Sequence, residues 1–468
     1  MFNTGYVTYC GIRCVYSIGK DAITLIPANN DDLRKLNSHF DDQHFLFHYA
    51  DGAEKNCIAF IDRVEINMGP SINLIPLYIL RLLNAGPVTY MQVTGPSIDE
   101  VFHPAGYFFT KAVSGKENTV DLAYECETAD EWTITINDSP INISLQYGGI
   151  LRRGIASDMM LHPKLCATFP PTTDIEFLIK VYTTITRFLQ LIQYNSNIGE
   201  CRVYLEGTAP EHNSGYLFDW PRVGSSRSFY NEMQYRYIQP FIKDLLQFSA
   251  ENTNIALQFL PEATYRWNRT DYSTQLLATL FAAFESEYKA NICVYETSPV
   301  VDYSKIRENV IGKIHECSNL TLTDFERQFL ADAENSIQRM GYQIGQNRKV
   351  KNVLHVLAPA LRSSAENLFI RNKIGSKSGF NDEEISQISK ELVGLRAQVS
   401  HEYSLSSFDD LQAEYIHFLE ILVHAQMLKR ADIDDAGIEL IIGIVFHCNF
   451  KYTEFLQKGN TQGEEPEN

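Results

Sequence analysis

The sequence predicts an α+β protein in which a β-rich N-terminal domain is followed by an all-α helical bundle. Two patterns predict this order. Before residue 206, short segments alternate apolar and polar residues, whereas beyond residue 230 apolar residues recur at helical spacing. The 468 residues are enough for two domains that each bury a core. We therefore expect a β-rich domain over 1–215, a linker over 216–230, a helical domain over 231–458 and a disordered acidic tail over 459–468.

The strands of the N-terminal domain are predicted by apolar runs bounded by turn residues. The clearest signal is a hairpin, because residues 132–136 and 141–145 alternate in polarity around a turn at 137–140. A helix that begins near residue 172 interrupts the strands and carries an apolar stripe. These features indicate a sandwich or barrel-like domain with one packed helix. The other strand candidates are 6–9, 22–26, 58–66, 88–93, 107–112, 120–124 and 203–205.

The helices of the C-terminal domain are predicted by apolar stripes and by start signals. Thr323 and Glu326 have the spacing of a capping box, and Pro359 predicts a kink or break in a later helix. The pattern is that of a helical bundle. The stripes lie at 237–248, 277–288, 354–368, 385–399, 408–425 and 438–455.

Composition and charge limit the classes of function. The nine cysteines are scattered, which argues against a disulfide framework. No signal peptide opens the chain, and no apolar run approaches the roughly 20 residues of a membrane span, so we expect a cytoplasmic protein without membrane contact. The net charge of −18 argues against a general nucleic-acid coat, yet residues 341–380 carry seven bases against one acid, a local +6. RNA could meet a local basic groove there, although a solvated helix face explains the same charges.

The candidate catalytic pair is Arg396 and His401. A helix that begins at Asn381, with Glu384 completing a capping box, is expected to end near Tyr403. The next helix is expected to begin at Ser407. Residues five apart on an ideal helix diverge by about 140°, so the two side chains can share a pocket only where the helix end loosens. Such a pocket would combine a permanent cation with a side chain that titrates near neutrality.

Arg396 and His401 also admit purely structural roles. Arg396 could form a surface ion pair, and His401 could be a helix C-terminal histidine favoured by the helix dipole. An arginine and a histidine separated by four to six residues also occur at Arg34–His39, in an acidic polar run, and at Arg348–His355. We keep Arg348–His355 as a second candidate pair. The chain has no phosphate-loop, dinucleotide-binding, serine-hydrolase or zinc-protease motif. We expect no cofactor and no metal.

The segment from Leu392 to Tyr403, followed by the long helix that ends near Ile433, resembles the C-terminal part of HEPN domains. The resemblance is to the ApeA-like group of anti-phage effectors, whose mark is an arginine separated by four to six residues from a histidine near the end of a bundle helix. The resemblance implies a HEPN-type bundle and a metal-independent endoribonuclease that acts as a homodimer through its helical domain. It assigns catalysis to Arg396 and His401, RNA as the substrate, and 2′,3′-cyclic phosphate and 5′-OH product ends.

The same resemblance implies a defence effector of the abortive-infection type, with a phage-derived or nucleic-acid trigger at the N-terminal domain. At Ala397 the family usually has a polar residue, often Asn. Together with the acidic net charge, Ala397 favours the alternative, a HEPN bundle without catalytic activity that serves as a dimerisation or ligand-binding module. Glu285 and Glu287 resemble an acidic position of related proteins, but surface solvation is the expectation for both. His417 and His424, seven residues apart, could line a seam with a partner helix.

Overall fold

The fold is described from a computed structural model. The residues whose structure is described are 3–19, 22–38, 40, 45–50, 56–66, 69–82, 86–103, 127–151, 159–207, 214–219, 233–251, 260, 272–296, 303–318, 322–339, 345–362, 364–365, 369, 379–401 and 408–446. The strand candidates at 107–112 and 120–124 and the predicted tail at 459–468 lie outside these ranges.

The chain forms two compact units, and the α+β class is confirmed. The first unit comprises Met1–Arg269 and the returning segment Ala431–Phe450, and the second is built on Thr270–Arg430. The division therefore falls after residue 269 and not in the linker predicted over 216–230. That expectation rested on the turn residues of 207–228, but Ser214–Asp219 within this segment is a strand.

The first unit contains a 12-stranded antiparallel sheet. Its path runs β1-β2-β3-β6-β12-β11-β7-β10-β9-β8, and β4 and β5 join it by pairing β5 with β6. The strands form one connected sheet, and the sandwich or barrel-like shape that we expect stays a prediction. Their bounds are β1 (Asn3–Tyr9), β2 (Ile12–Ile18), β3 (Ile23–Pro27), β4 (Phe45–Ala50), β5 (Asn56–Ile66), β6 (Ile72–Leu82), β7 (Val88–Thr94), β8 (Glu127–Ile136), β9 (Ser139–Leu151), β10 (Met159–Thr172), β11 (Arg202–Gly207) and β12 (Ser214–Asp219).

The predicted hairpin is present as β8 and β9. Its turn is shorter than expected, because Ile136 pairs with Ser139 and only Asn137 and Asp138 form the loop. Both have positive φ, 48° and 60°, which is the backbone of the two-residue turn that matches strand twist. Asn and Asp tolerate that conformation, so the turn fixes the register that buries one face of the hairpin.

A long helix packs on one face of the sheet. Helices α1 (Asn30–Asn37) and α2 (Pro96–Val101) precede it, and α3 (Ile175–Gln193) is the predicted packed helix. Asp174 caps α3 by accepting hydrogen bonds from the backbone amides of Glu176 and Phe177. Tyr182 of α3 meets Tyr78 of β6 edge-on, with ring centroids 5.8 Å apart. The burial of the apolar side chains of α3 holds it to this face.

A second apolar cluster of the first unit is formed by β2 to β6 and α1. Its fully buried members include Ile23, Leu25, Leu36 and Phe47. No described residue of α3 belongs to this cluster, so the first unit has a second core besides the apolar side chains that α3 buries. The other members of the cluster are Ile12, Cys14, Tyr16, Tyr49, Cys57, Ala59, Ile61, Ile72 and Leu74.

Three further α-helices among the described residues belong to the first unit, although we expected them in the helical bundle. They are α4 (Tyr235–Ile238), α5 (Ile242–Glu251) and α13 (Asp435–Val445). The side-chain amide of Gln247 on α5 bonds both backbone groups of Thr135 on β8, at 2.9 and 3.3 Å. Gly437 of α13 lies so close to Phe241 that an added Cβ would stand 2.6 Å from its Cζ. These contacts join both segments to the sheet unit.

The elements described in the second unit are all helices, as we expect for the helical domain over 231–458. Two helices begin at the capping boxes that the sequence predicts. Thr323 and Glu326 exchange capping hydrogen bonds, and Glu384 accepts from the backbone amide of Asn381 at 2.8 Å. The bounds are α6 (Thr274–Ala290), α7 (Ile292–Tyr295), α8 (Tyr303–Ser318), α9 (Asp324–Arg339), α10 (Gln346–Leu357), α11 (Asp382–His401) and α12 (Asp410–Arg430).

One helix boundary differs from expectation. Helix α12 is capped by Asp409, which accepts from the backbone amide of Gln412 at 2.8 Å, so the predicted cap at Ser407 is two residues early. Helix α11 remains helical through His401. Helix α10 ends at Leu357 and continues as a 3-10 turn (Ala358–Leu361), which is the break that Pro359 predicted.

Among the helices described, none has the length and apolar character needed to cross a bilayer.

Candidate active site around Arg396

Three helices of the second unit build the surroundings of Arg396. Helices α10 and α11 are joined by polar contacts: the Lys351 ammonium donates to the Ser386 hydroxyl at 2.9 Å, and the Ser389 hydroxyl donates to the backbone carbonyl of Asn347 at 2.7 Å. Ser389 is fully buried. Helix α6 packs against α11 and presents a carboxylate to it. The relative positions of these helices are therefore set by specific hydrogen bonds as well as by apolar packing.

Arg396 makes an ion pair with Glu285. One guanidinium nitrogen lies 2.8 Å from the Glu285 carboxylate, and the side chains are 39% and 24% exposed. The guanidinium also stands over the ring of Phe281, 5.4 Å from its centroid. Phe281 and Glu285 are four residues apart and share one face of α6. The carboxylate and the ring together orient the guanidinium, and its partial exposure leaves it accessible to an anion from solvent.

A second cation lies on the other side of Glu285. The Lys349 ammonium of α10 is 3.9 Å from the second Glu285 oxygen, and the Gln346 amide donates to the first. Lys349 is only 13% exposed. Two bases against one acid give this cluster of Arg396, Glu285 and Lys349 a formal charge of +1. The predicted basic stretch therefore contributes at least one cation to the surroundings of Arg396.

Lys349 also lies near a tyrosine whose hydroxyl forms two hydrogen bonds. The ammonium stands 5.9 Å from the ring centroid of Tyr288. The Tyr288 hydroxyl donates to Glu296 at 3.0 Å and accepts from the Asn352 amide at 3.1 Å. Burial, with the carboxylate of Glu296, raises the pKa of Tyr288 to about 12. Tyr288 is therefore neutral at physiological pH and acts as a fixed hydrogen-bonding group and not as a proton donor to substrate.

His401 is the last residue of α11. Its side chain lies outside the described residues, as do those of Val399 and Ser400. Because the helix is intact to residue 401, the backbone directions of Arg396 and His401 diverge by about 140° on this helix. The loosened helix end expected from the sequence is therefore not present before His401. Ala397, which follows Arg396, is exposed.

The second candidate pair is not brought to Arg396. His355 is half-exposed, with its Nδ1 3.7 Å from the carboxylate of Asp382 in the first turn of α11. Asp382 and Arg396 are separated by roughly 20 Å along a helix that rises 1.5 Å per residue. Arg348, seven residues before His355, is exposed in the first turn of α10. His355 cannot share a phosphate with Arg396 in one protomer.

The expectation that Glu285 and Glu287 are solvated surface residues is wrong. Glu285 is the ion-pair partner of Arg396, and Glu287 is completely buried, 3.1 Å from the Nε atom of Arg430. Burial lowers the pKa of Arg430, and the adjacent Glu287 opposes that shift. Both acids belong to apolar faces of α6. Glu285 follows Phe281 by four residues, and Glu287 follows Leu280 by seven, a spacing that could have indicated their burial.

The two histidines of α12 are interior residues and do not line an exposed seam. His424 is fully buried, and desolvation lowers its pKa to about 3. His417 is 8% exposed, with its Nδ1 3.6 Å from Glu420. Helix α12 is buried continuously from Tyr415 to Leu428. Its polar residues are therefore part of the core, where each requires a compensating contact.

Comparisons with protein-family models, with curated proteins and with solved structures find no match to this chain.

The residues that sequence reasoning missed are those that surround Arg396. Gln346 and Lys349 come from a helix some fifty residues earlier, and Glu285 comes from a helix more than a hundred residues earlier. The basic stretch at 341–380 includes Lys349, but its sequence does not distinguish Lys349 from the other bases of the stretch. Long-range helix packing, which no local pattern encodes, brings these side chains together.

Proposed function

We propose that the protein is a metal-independent endoribonuclease of the HEPN type in which Arg396 and His401 carry out cleavage. The observation that supports this most directly is the oriented guanidinium of Arg396. It is fixed by Glu285 and Phe281, is partly open to solvent, and has Lys349 nearby. His401 ends the same helix. A pre-oriented cation is what stabilisation of a phosphate transition state requires.

The proposed reaction uses the 2′-OH of RNA as its nucleophile. A histidine accepts the 2′-OH proton while the 2′-oxygen attacks phosphorus, and the bond from phosphorus to the 5′-oxygen breaks. A protonated group returns a proton to the 5′-oxygen. The guanidinium binds the non-bridging oxygens, whose negative charge grows in the transition state. The products are a 2′,3′-cyclic phosphate and a 5′-OH, with no water consumed in this step.

The proposal includes a homodimer formed through the helical unit. The reaction needs a general base, a general acid and a cation that binds the phosphate oxygens. One arginine and one histidine on diverging faces of a helix do not readily supply all three, so a second copy would complete the site. Helices α8 and α9 pack against each other as a hairpin that leaves Phe325 and Phe329 of α9 82% and 67% exposed. These rings lie one turn apart on one face of α9. Val310 of α8 is also exposed. An apolar surface of this kind is typical of an interaction site, and we assign the dimer contact to it.

The wider role we propose is that of an anti-phage defence effector in the cytoplasm. The ApeA-like resemblance at 392–403 supports this role. The sheet unit would then receive a phage-derived or nucleic-acid trigger, and the helical unit would cut RNA.

Cleavage of a labelled RNA in excess EDTA tests the proposed activity. We expect wild type to cleave, and His401→Ala and Arg396→Ala to lose at least about a hundredfold in rate. His355→Ala is the matched control, since His355 is a half-exposed histidine of the same unit that stands beside Asp382. End analysis should find cyclic phosphates. Cleavage that requires a divalent metal, or that survives His401→Ala, would exclude this function.

The alternative is a HEPN bundle without catalysis that serves as a dimerisation or ligand-binding module. Two observations favour it: Ala397 follows the arginine, and Glu285 already neutralises the guanidinium. In that case wild type and Arg396→Ala would both be inactive in EDTA and in magnesium, while the protein would still form a dimer in light scattering.

A further inference from the structure

The sheet of the first unit has an open polar face that the proposed ribonuclease activity does not use. Residues directly opposite one another on paired strands share a face. The register places Arg81, Tyr216, Tyr204, Gln92 and Cys166 in one row across β6, β12, β11, β7 and β10. Their neighbours along the strands point the other way, toward α3.

The two faces differ sharply in burial. On the α3 side, Leu217, Val203 and Val93 are at most 2% exposed. On the open side, Tyr216 is 41% exposed and Arg202 is exposed. Arg81, Tyr204 and Gln92 are half-buried, and Cys166, at the end of the row, is buried. An aromatic side chain of this size is more often buried, so its exposure in the middle of a sheet requires an explanation.

The tyrosines of this face form a stacking surface. The rings of Tyr204 and Tyr216 lie on adjacent strands with centroids 5.8 Å apart. Tyr90 extends the aromatic surface on β7, where its hydroxyl donates to the Cys166 thiol at 2.9 Å. That contact fixes the Tyr90 ring against the sheet. Three aromatic rings on neighbouring strands offer π-faces to planar ligands.

Basic side chains surround the aromatic pair. Arg81 is opposite Tyr216, and Arg202 is two residues before Tyr204 on β11. Across β6, β12, β11, β7 and β10, this face carries Arg81, Arg202 and Lys164 against one acid, Glu206, by the pairing registers. The formal charge is +2 on these five strands and +1 when Glu131 of β8, in the same row, is included, against −18 for the whole chain. A local positive surface on an acidic protein selects for an anionic ligand.

We propose that this face binds single-stranded nucleic acid, with bases stacked on Tyr204 and Tyr216 and phosphates paired with Arg81 and Arg202. Single strands fit because their bases are free to stack on side chains, whereas the bases of a duplex are stacked on each other. Gln92, beside Tyr204, supplies an amide for the edge of a stacked base. The site belongs to the first unit, so nucleic-acid binding there can be tested separately from RNA cleavage at Arg396.

Fluorescence anisotropy with a labelled 12-nucleotide oligouridine tests this site. The full-length chain carrying Arg396→Ala and His401→Ala would be used throughout, to prevent cleavage and to remove the proposed phosphate clamp. We expect Tyr204→Ala and Tyr216→Ala each to raise Kd about tenfold, and Tyr216→Phe to retain binding, because stacking needs the ring and not the hydroxyl. Arg202→Gln should weaken binding and reduce its salt dependence.

Tyr6→Ala is the matched control. Tyr6 is an exposed tyrosine of the same unit with an arginine, Arg13, 5.0 Å from its ring centroid, but it lies on β1. The Tyr6→Ala variant should bind oligouridine with the same Kd as the parent protein. An oligodeoxyuridine and a 12-base-pair RNA duplex complete the set, and binding should fall strongly for the duplex. The proposal is overturned if oligouridine does not bind at low salt, if duplex binds as tightly as single strand, or if folded Tyr204→Ala and Tyr216→Ala variants bind as well as Tyr6→Ala.

Discussion

The guanidinium of Arg396 and the carboxylate of Glu285 are held 2.8 Å apart on two neighbouring helices, with the ring of Phe281 against the guanidinium. The contact has two opposing effects. It orients Arg396, which favours the catalysis that we propose, and it neutralises part of the guanidinium charge, which weakens the attraction for phosphate. Lys349, near the same carboxylate, offsets the second effect. We therefore regard Glu285 as a positioning residue for Arg396.

The first prediction concerns Glu285→Gln. The amide keeps the shape of the side chain but loses a charge-assisted hydrogen bond, a difference of about 1.4 kcal/mol, so we expect kcat for RNA cleavage to fall about tenfold. Glu285→Asp should recover part of the rate. The shape of the pH–rate profile should not change, because Glu285 transfers no proton. A faster Glu285→Gln enzyme would show instead that the carboxylate inhibits.

The second prediction concerns the buried pair of Glu287 and Arg430. Removing one partner leaves the other charge buried without compensation, so Glu287→Gln and Arg430→Met should each lower the free energy of unfolding by about 3–5 kcal/mol. The double variant should lose less than the sum of the two, because neither charge is then left alone. Urea denaturation measures these values.

The matched control for this pair is Arg327→Met. Arg327 and Asp324 form an exposed ion pair at 3.8 Å, with side chains 66% and 102% exposed. Solvent screens such a pair, so the loss should stay below about 1 kcal/mol. Equal effects of Arg430→Met and Arg327→Met would contradict the importance of burial at Glu287.

The third prediction concerns the proposed dimer contact on α9. Phe325→Glu with Phe329→Glu places charges on the exposed apolar face, so we expect dimer to dissociate in light scattering and cleavage to fall with it. Phe325→Leu should preserve the dimer. Because both rings are already exposed in one protomer, the free energy of unfolding measured for the monomer should change little. A dimer that survives both glutamates would place the contact elsewhere.

Local signals predicted the parts of the fold that depend on local physics. The capping boxes at Thr323 and Asn381 and the break at Pro359 were identified from residue types at fixed spacing, and the hairpin of β8 and β9 from alternation around Asn137. In each case the deciding interaction lies within a few residues along the chain.

Long-range placement could not be predicted in the same way. Four of the six residues of β12 fall in the linker that turn chemistry predicts over 216–230, yet the strand pairs with β6 and β11 in the middle of the sheet. Glu285 was expected to be solvated because a glutamate on a helix usually is. Its partner Arg396 lies 111 positions further along the chain, and only tertiary packing brings them together.

The last prediction follows from His424, which is fully buried on α12 and has its pKa lowered by desolvation to about 3. In the unfolded chain the imidazole takes up a proton below its ordinary value of about 6.5, whereas in the folded protein it stays neutral until about pH 3. The unfolded state therefore binds more protons between these values. Stability contributed by His424 is complete above pH 6.5 and is lost as pH falls, by up to about 1.4 kcal/mol per pH unit. Free energies of unfolding at pH 7, 6 and 5 should fall less steeply for His424→Gln than for wild type. Parallel pH profiles for wild type and His424→Gln would show that the imidazole of His424 is not kept neutral by burial.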